Sequence, residues 1–189
     1  MSAAAPPAPA SLTAGAPAAP AAPSAGLVVV GVGDVQFAVG AGRLVTYALG
    51  SCLGVAVHDA AAGVAGLLHV MLPASNTDPA RAAQTPAMFV DTGLPLLFRE
   101  SYRLGAKKER LTVRVVGGAH QAEREEDDLF QIGKRNLLAV RKLLWRNNVL
   151  VRGEDVGESR VSRTLYLDAA TGGLRVRATS GGGTRDFFL

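Results

Sequence analysis

The sequence predicts an α+β fold, and three observations carry that reading. Short runs rich in Val and Leu recur with tight links between them, as strands require. Helical spacing appears in only two regions, placed irregularly rather than after every strand, which argues against a doubly wound parallel sheet. The chain has 189 residues, 48% of them hydrophobic and 5% aromatic. It can therefore bury a sizeable core, built mainly from Val, Leu and Ala.

Residues 1–26 stand apart, with twelve Ala, six Pro and no charged residue. Repeated proline blocks helix continuation, and small side chains bury too little surface to offset ordering entropy. The segment reads as a disordered tail, and residues 27–189 as the folded domain. Leu27 to Val30 opens that domain as a β-branched strand, followed by a turn at Gly31–Asp34 and alternating residues from Val35 to Val39. Arg43 to Leu49, Leu53 to Val57 and Val64 to Val70 continue as strands. Ala82 to Leu104 then carries helical spacing, with Gly93 and Pro95 inside it, so two helices meeting near Gly93 or one kinked helix is expected. Leu111 to Val116 is a strand, 123–128 an acidic solvated loop, and Gly133 to Asn147 a helix whose apolar stripe is Leu137, Val140 and Leu144. Strands at Leu150–Val156, Arg163–Leu167 and Leu174–Ala178 complete the chain, the last two joined by a turn at Thr171-Gly172-Gly173.

Composition removes several function classes. A single cysteine permits no intrachain disulfide and no multi-cysteine zinc pattern. The net charge of +4 is mild, the basic residues are spread from Arg43 to Arg185, and aromatics are scarce, so nucleic-acid binding is not expected. No apolar run reaches membrane-span length, and no Lys or Arg precedes Arg43 as a secretory signal would need. A cytoplasmic location without membrane insertion is expected.

The chemistry-bearing stretch is Thr46-Tyr47-Ala48-Leu49-Gly50-Ser51-Cys52. A strand runs into a Gly-Ser-Cys corner and another leaves it. Gly50 permits backbone shapes that other residues resist and leaves room for a substrate, and free amides of such a corner can face a developing oxyanion. A lone cysteine is more often an inert core residue. As a nucleophile it needs a base, because an ordinary thiol, with pKa about 8.5, is mostly protonated at neutral pH. Three histidines are available. His69 closes an apolar strand, where a satisfied core histidine is the commoner outcome. His58 precedes Asp59 at a turn and is expected to be exposed, and His120 enters the acidic loop. Thr46 can accept a hydrogen bond from an imidazole and orient it, although Thr is also ordinary in a strand.

Val45-Thr46-Tyr47-Ala48-Leu49-Gly50-Ser51-Cys52, followed by Gly66-Leu67-Leu68-His69-Val70-Met71-Leu72-Pro73, resembles the chemoreceptor glutamine deamidase family, CheD. The likeness continues through Val116-Gly117-Gly118-Ala119, Ile132-Gly133-Lys134-Arg135-Asn136 and Gly181-Gly182-Gly183. It implies Cys52 as nucleophile, His69 as base and Thr46 as third member, with Gly50 and Ser51 in the substrate and oxyanion region. It further implies packed mixed β-sheets with helices on one side, an αββ sandwich similar to the catalytic domain of deamidating toxins. The implied activity is a cysteine amidohydrolase, a protein-glutamine glutaminase. It would convert receptor glutamines to glutamate, with hydrolysis of glutamate methyl esters as an associated activity. No metal or organic cofactor is implied. The implied partners are methyl-accepting chemotaxis receptors and, in some members, a chemotaxis phosphatase. The Ala/Pro tail, Gly93 and Pro95, and His120-Gln121 depart from the family pattern.

Two other readings remain open. A non-catalytic regulator docking on receptors or on a chemotaxis phosphatase would not depend on Cys52. A thiol hydrolase acting on another protein's glutamine or on a small amide would need no receptor.

Overall fold

The computed structural model describes residues 26–189; the expected tail lies outside the described residues except for Gly26. Ten strands form two five-stranded mixed sheets. They are β1 (Leu27–Val29), β2 (Asp34–Val39), β3 (Arg43–Leu49), β4 (Leu53–Asp59), β5 (Val64–Val70), β6 (Thr112–Gly117), β7 (Val151–Val156), β8 (Ser162–Asp168), β9 (Leu174–Ser180) and β10 (Gly183–Phe188). One sheet runs β1-β3-β8-β9-β10 and the other β2-β5-β4-β6-β7. The pairs β1–β3 and β6–β7 are parallel and the others antiparallel.

The helices are α1 (Pro79–Gln84), α2 (Val90–Arg103) and α3 (Ile132–Arg146). Both long helices cover the second sheet only. Alternation along β4 explains the layering, since successive side chains point to opposite faces. Leu53, Val55 and Val57 pack with Val90, Leu94, Leu97, Val140 and Leu144 of the helices. Ala56 faces the other way, into a core shared with Leu44, Leu49, Leu165, Leu167 and Val176 of the first sheet. Every residue of β4 and β5 is buried because both faces are covered, so these strands read as continuous apolar runs. The result is the three-layer α+β sandwich that the resemblance implies.

Two expectations are corrected. The helical region does not break at Gly93. It breaks at residues 85–89, where Thr85 ends α1 immediately before Pro86, and the residue before a proline is disfavoured in the helical region. Helix α2 runs through both Gly93 and Pro95. Gly93 serves packing, since a Cβ there would sit 3.0 Å from the Ala87 backbone. His58 is buried rather than exposed: β4 extends through Asp59, which turns the ring inward to meet the Ala169 carbonyl at 3.0 Å. Strand β10, which contributes the outer edge of the first sheet, has no counterpart in the sequence reading.

Asp59 anchors the end of β4. Its buried carboxylate accepts from the Ala61, Ala62 and Lys107 amides and pairs with Arg110 at 2.7 Å. Arg110 and these donors hold its carboxyl well below the usual range. A depressed folded pKa means that the stabilisation is present above the unfolded value and is lost as pH falls. Asp59→Ala is therefore expected to lower the urea midpoint at pH 7. Its deficit against wild type should narrow below about pH 4, where the unfolded carboxylate protonates; a deficit constant from pH 7 to pH 3 would contradict the assignment.

Candidate active site

Cys52 lies where the chain crosses from one sheet to the other. Only Gly50, Ser51 and Cys52 separate β3 from β4. The approach is irregular: pairing of β3 with β8 shifts between Thr46 and Leu49, and Ala48 adopts φ 58°. An alanine in the left-handed region carries steric strain, a feature that concentrates at functional sites. The special backbone at this corner thus belongs to Ala48; Gly50, which sequence reasoning credited with it, has no positive φ. What Gly50 supplies is space, since a Cβ there would sit 3.1 Å from the Gln121 side-chain amide.

Register brings the candidates together. In the β4–β5 ladder His69 stands opposite Gly54, and Leu53 opposite Val70. Cys52 lies one residue beyond the ladder and packs against the inter-sheet core, on the side to which Gly54 is turned; its sulfur makes no hydrogen bond to His69 Nε2. Gly54 was not singled out from the sequence. A Cβ at this position would press on Leu49, Leu165 and Thr46 at 3.0 to 3.7 Å, so its absence lets the two sheets close over the site. The available signal was a glycine inside a strand, which often marks close approach.

Thr46 and His69 come from opposite sheets and meet at 2.7 Å between Oγ1 and Nδ1. The Thr46 hydroxyl also lies 2.8 Å from the Val30 carbonyl, to which it donates. A hydroxyl has one proton, so Thr46 must accept from His69 Nδ1–H. That fixes the tautomer with the lone pair on Nε2. Nε2 is buried and has no hydrogen-bond partner among the described residues. The other rings are committed elsewhere: His58 Nε2 to Ala169, and His120 Nδ1 to the Ala122 carbonyl.

Burial favours the uncharged form of both candidate groups. Burial lowers the His69 pKa to about 4, and burial pushes the half-buried Cys52 thiol up, opposed by its own backbone N–H. Thr46 carries no charge that would restore basicity to the ring. The site thus holds a thiol and a neutral imidazole rather than a thiolate–imidazolium pair.

Glycines seal the back of the corner. Gly118 N–H donates to the Cys52 carbonyl at 2.9 Å and Ala119 N–H to the Gly50 carbonyl at 2.8 Å. A Cβ at Gly117 (φ 115°) would collide with the Cys52 carbonyl, and one at Gly133 with the Gly118 carbonyl. Arg163, fully buried, holds Asp155 at 2.7 Å and the Gly157 carbonyl at 3.0 Å. Gly157 N–H in turn reaches the Gly117 carbonyl at 2.9 Å. Sequence reasoning found no role for Arg163, because a buried arginine in a strand leaves no pattern. The acidic run 123–128 is a solvated loop with one 3-10 turn, as expected. No group of three or more potential metal ligands occurs among the described residues. No described helix is long and apolar enough to cross a membrane.

Two outcomes follow. Iodoacetamide alkylation of Cys52 should be slow at pH 7 and rise about tenfold per pH unit beyond the ordinary thiol range; a plateau extending below pH 6 would show an ion pair instead. His69, with its folded pKa below the unfolded value, binds fewer protons folded than unfolded between about pH 6.5 and 4. Stability should fall across that window, by up to about 3 kcal/mol more in wild type than in His69→Gln. Equal acid losses in calorimetry would refute the buried neutral ring.

Comparison with known proteins shows the family. The family model described as CheD chemotactic sensory transduction matches residues 71–178. A probable chemoreceptor glutamine deamidase CheD 1 of Syntrophus aciditrophicus is 46% identical over 157 residues, covering 82% of this chain and 96% of its own. Proteins named probable chemoreceptor glutamine deamidase CheD from Solibacter usitatus and Pyrococcus abyssi are 43% and 40% identical. They cover 78% and 82% of this chain, and 86% and 93% of their own length. The chain belongs to the CheD family.

Proposed function

We propose that the protein is a cysteine amidohydrolase that deamidates glutamine side chains of chemotaxis receptors, with Cys52 as nucleophile, His69 as general base and Thr46 as orienting residue. The observation that carries the reading is the buried, unpartnered Nε2 of His69, held by Thr46 on the face where Cys52 emerges. The substrate class is taken from the relatives' names. The apolar groove between α2 and α3, lined by Leu94, Phe98, Leu143 and Val149, contains none of the candidate residues.

In this reading His69 Nε2 takes the Cys52 proton as sulfur attacks the glutamine carboxamide carbon. The resulting oxyanion is held by backbone N–H groups of the corner, that of Cys52 among them. The Cys52 N–H already favours negative charge on its own sulfur, which places it on the side where the reaction's charge develops. The C–N bond breaks as His69 returns its proton to the departing ammonia, leaving a thioester. Water then loses a proton to His69 and attacks the thioester. The C–S bond breaks, sulfur regains the proton, and glutamate is released. Glutamate methyl esters present the same carbonyl with methanol as leaving group, so this site suits ester hydrolysis as well. The phosphatase is a further proposed partner, on the resemblance alone.

Intact mass of a receptor cytoplasmic fragment tests the reading. Wild type should add about one mass unit per converted glutamine, whereas Cys52→Ala and His69→Ala add none. Thr46→Val should lower the rate on the order of 10²-fold, and Thr46→Ser should largely restore it, because orientation depends on the hydroxyl. No mass gain with wild type while the fragment still binds would favour the non-catalytic regulator.

A further inference from the structure

Helix α3 reaches across the back of the corner through one side chain. Asn136 is fully buried, and its Nδ2 donates to the Ser51 carbonyl at 3.1 Å and the Met71 carbonyl at 2.9 Å. One amide thus ties the residue before Cys52 to the second residue after His69. Its Oδ1 is buried and without a partner among the described residues. The amide is not reversed, because Oδ1 would then face two carbonyl oxygens. An unpartnered buried oxygen costs stability and calls for an explanation. The helix comes this close only because Gly133, one turn earlier, lies against the Gly118 carbonyl without a Cβ.

The consequence concerns the Ser51–Cys52 peptide. In a planar trans peptide the C=O and the following N–H point in opposite directions. Holding the Ser51 carbonyl toward α3 aims the Cys52 N–H away from it, toward the face where the Cys52 side chain packs against the inter-sheet core. Gly118 fixes the next peptide by its 2.9 Å bond to the Cys52 carbonyl. We infer that Asn136 is a positioning residue that presets the Cys52 N–H as an oxyanion donor, by anchoring the carbonyl of the same peptide unit. This inference rests on the deamidase reading and deepens it. Asn136 does not touch the reacting atoms; it acts through the peptide.

Such a residue acts mainly on the tetrahedral step, and it reaches the thiol only through the same Cys52 N–H, so two readouts separate it from general scaffolding. With the receptor fragment as substrate, Asn136→Ala should lower kcat on the order of 10- to 100-fold, the scale of one lost or misaimed oxyanion donor, with KM little changed. Iodoacetamide alkylation of Cys52, a displacement that forms no oxyanion, should change far less than kcat, its pH profile moving only upward as the Cys52 N–H turns away from the thiol. Unchanged kcat would overturn the inference, as would a fall in kcat matched by an equal fall in the alkylation rate. A crystal structure of the variant decides the matter independently of any activity. A rotated Ser51–Cys52 peptide supports the inference and an unmoved one overturns it. If Asn136→Ala does not fold, Asn136→Ser, which keeps a single donor, carries the same measurements. Failure of wild type to deamidate would sink the functional reading, while the peptide orientation in the variant would still decide the role of Asn136.

Discussion

The hydrogen bond between Thr46 and His69 is the point on which the arrangement of the site depends. It joins the two sheets at one place, fixes which imidazole nitrogen carries the proton, and leaves the other buried and without a partner. It also sets a requirement on the surrounding core. For a strand in one sheet to present a hydroxyl to a ring in the other, the sheets must close tightly, and Gly54, Ala56 and Ala65 are small where they face each other. A larger residue at Gly54 would drive Leu49 and Leu165 outward and lengthen the bond.

Segments far apart in sequence converge on the same three residues. Gly117 and Gly118 close on the Cys52 carbonyl, Gly133 rests on Gly118, and Asn136 reaches the Ser51 carbonyl. Arg163 ties the β7–β8 connection to the same place through Gly157. Preorganisation of this kind favours catalysis because donors need not reorient when charge develops. It also accounts for costly local features next to the corner, namely the left-handed Ala48 and the unpartnered Asn136 oxygen.

Much of this was legible in the sequence because it follows from periodicity and punctuation. The strands from Leu27 to Val70 and the stripe of α3 follow from local patterns, whereas Thr46, Cys52 and His69 were separate candidates there and formed a set only through the family resemblance. The rest lacked a local signal. Ala48 looks like an ordinary strand residue, since a bulge depends on the partner strand's register. Asn136 and Arg163 lie among polar or alternating neighbours, and only their tertiary partners make them buried. Pro86, rather than Gly93 or Pro95, ended the helix, because its effect falls on the preceding residue whereas Pro95 costs α2 only one bond near its start. His58 was misplaced because β4 extends two residues beyond its apolar run.

The resting protonation state bears on how such a site would avoid unwanted reactions. Burial raises the thiol and lowers the imidazole, so neither charge is present before substrate arrives. A threonine in the orienting position holds the ring without supplying the negative charge that would stabilise an imidazolium. In the proposed mechanism the proton therefore moves only as sulfur attacks, and the charge developing on oxygen is the part that fixed donors can stabilise. The balance shifts from a permanently activated nucleophile to a preset oxyanion site. A corner with an unactivated thiol would then react slowly with small solutes and depend on a protein surface to seat the carboxamide against the Cys52 amide. That dependence makes the orientation of one peptide bond as consequential as the identity of the nucleophile.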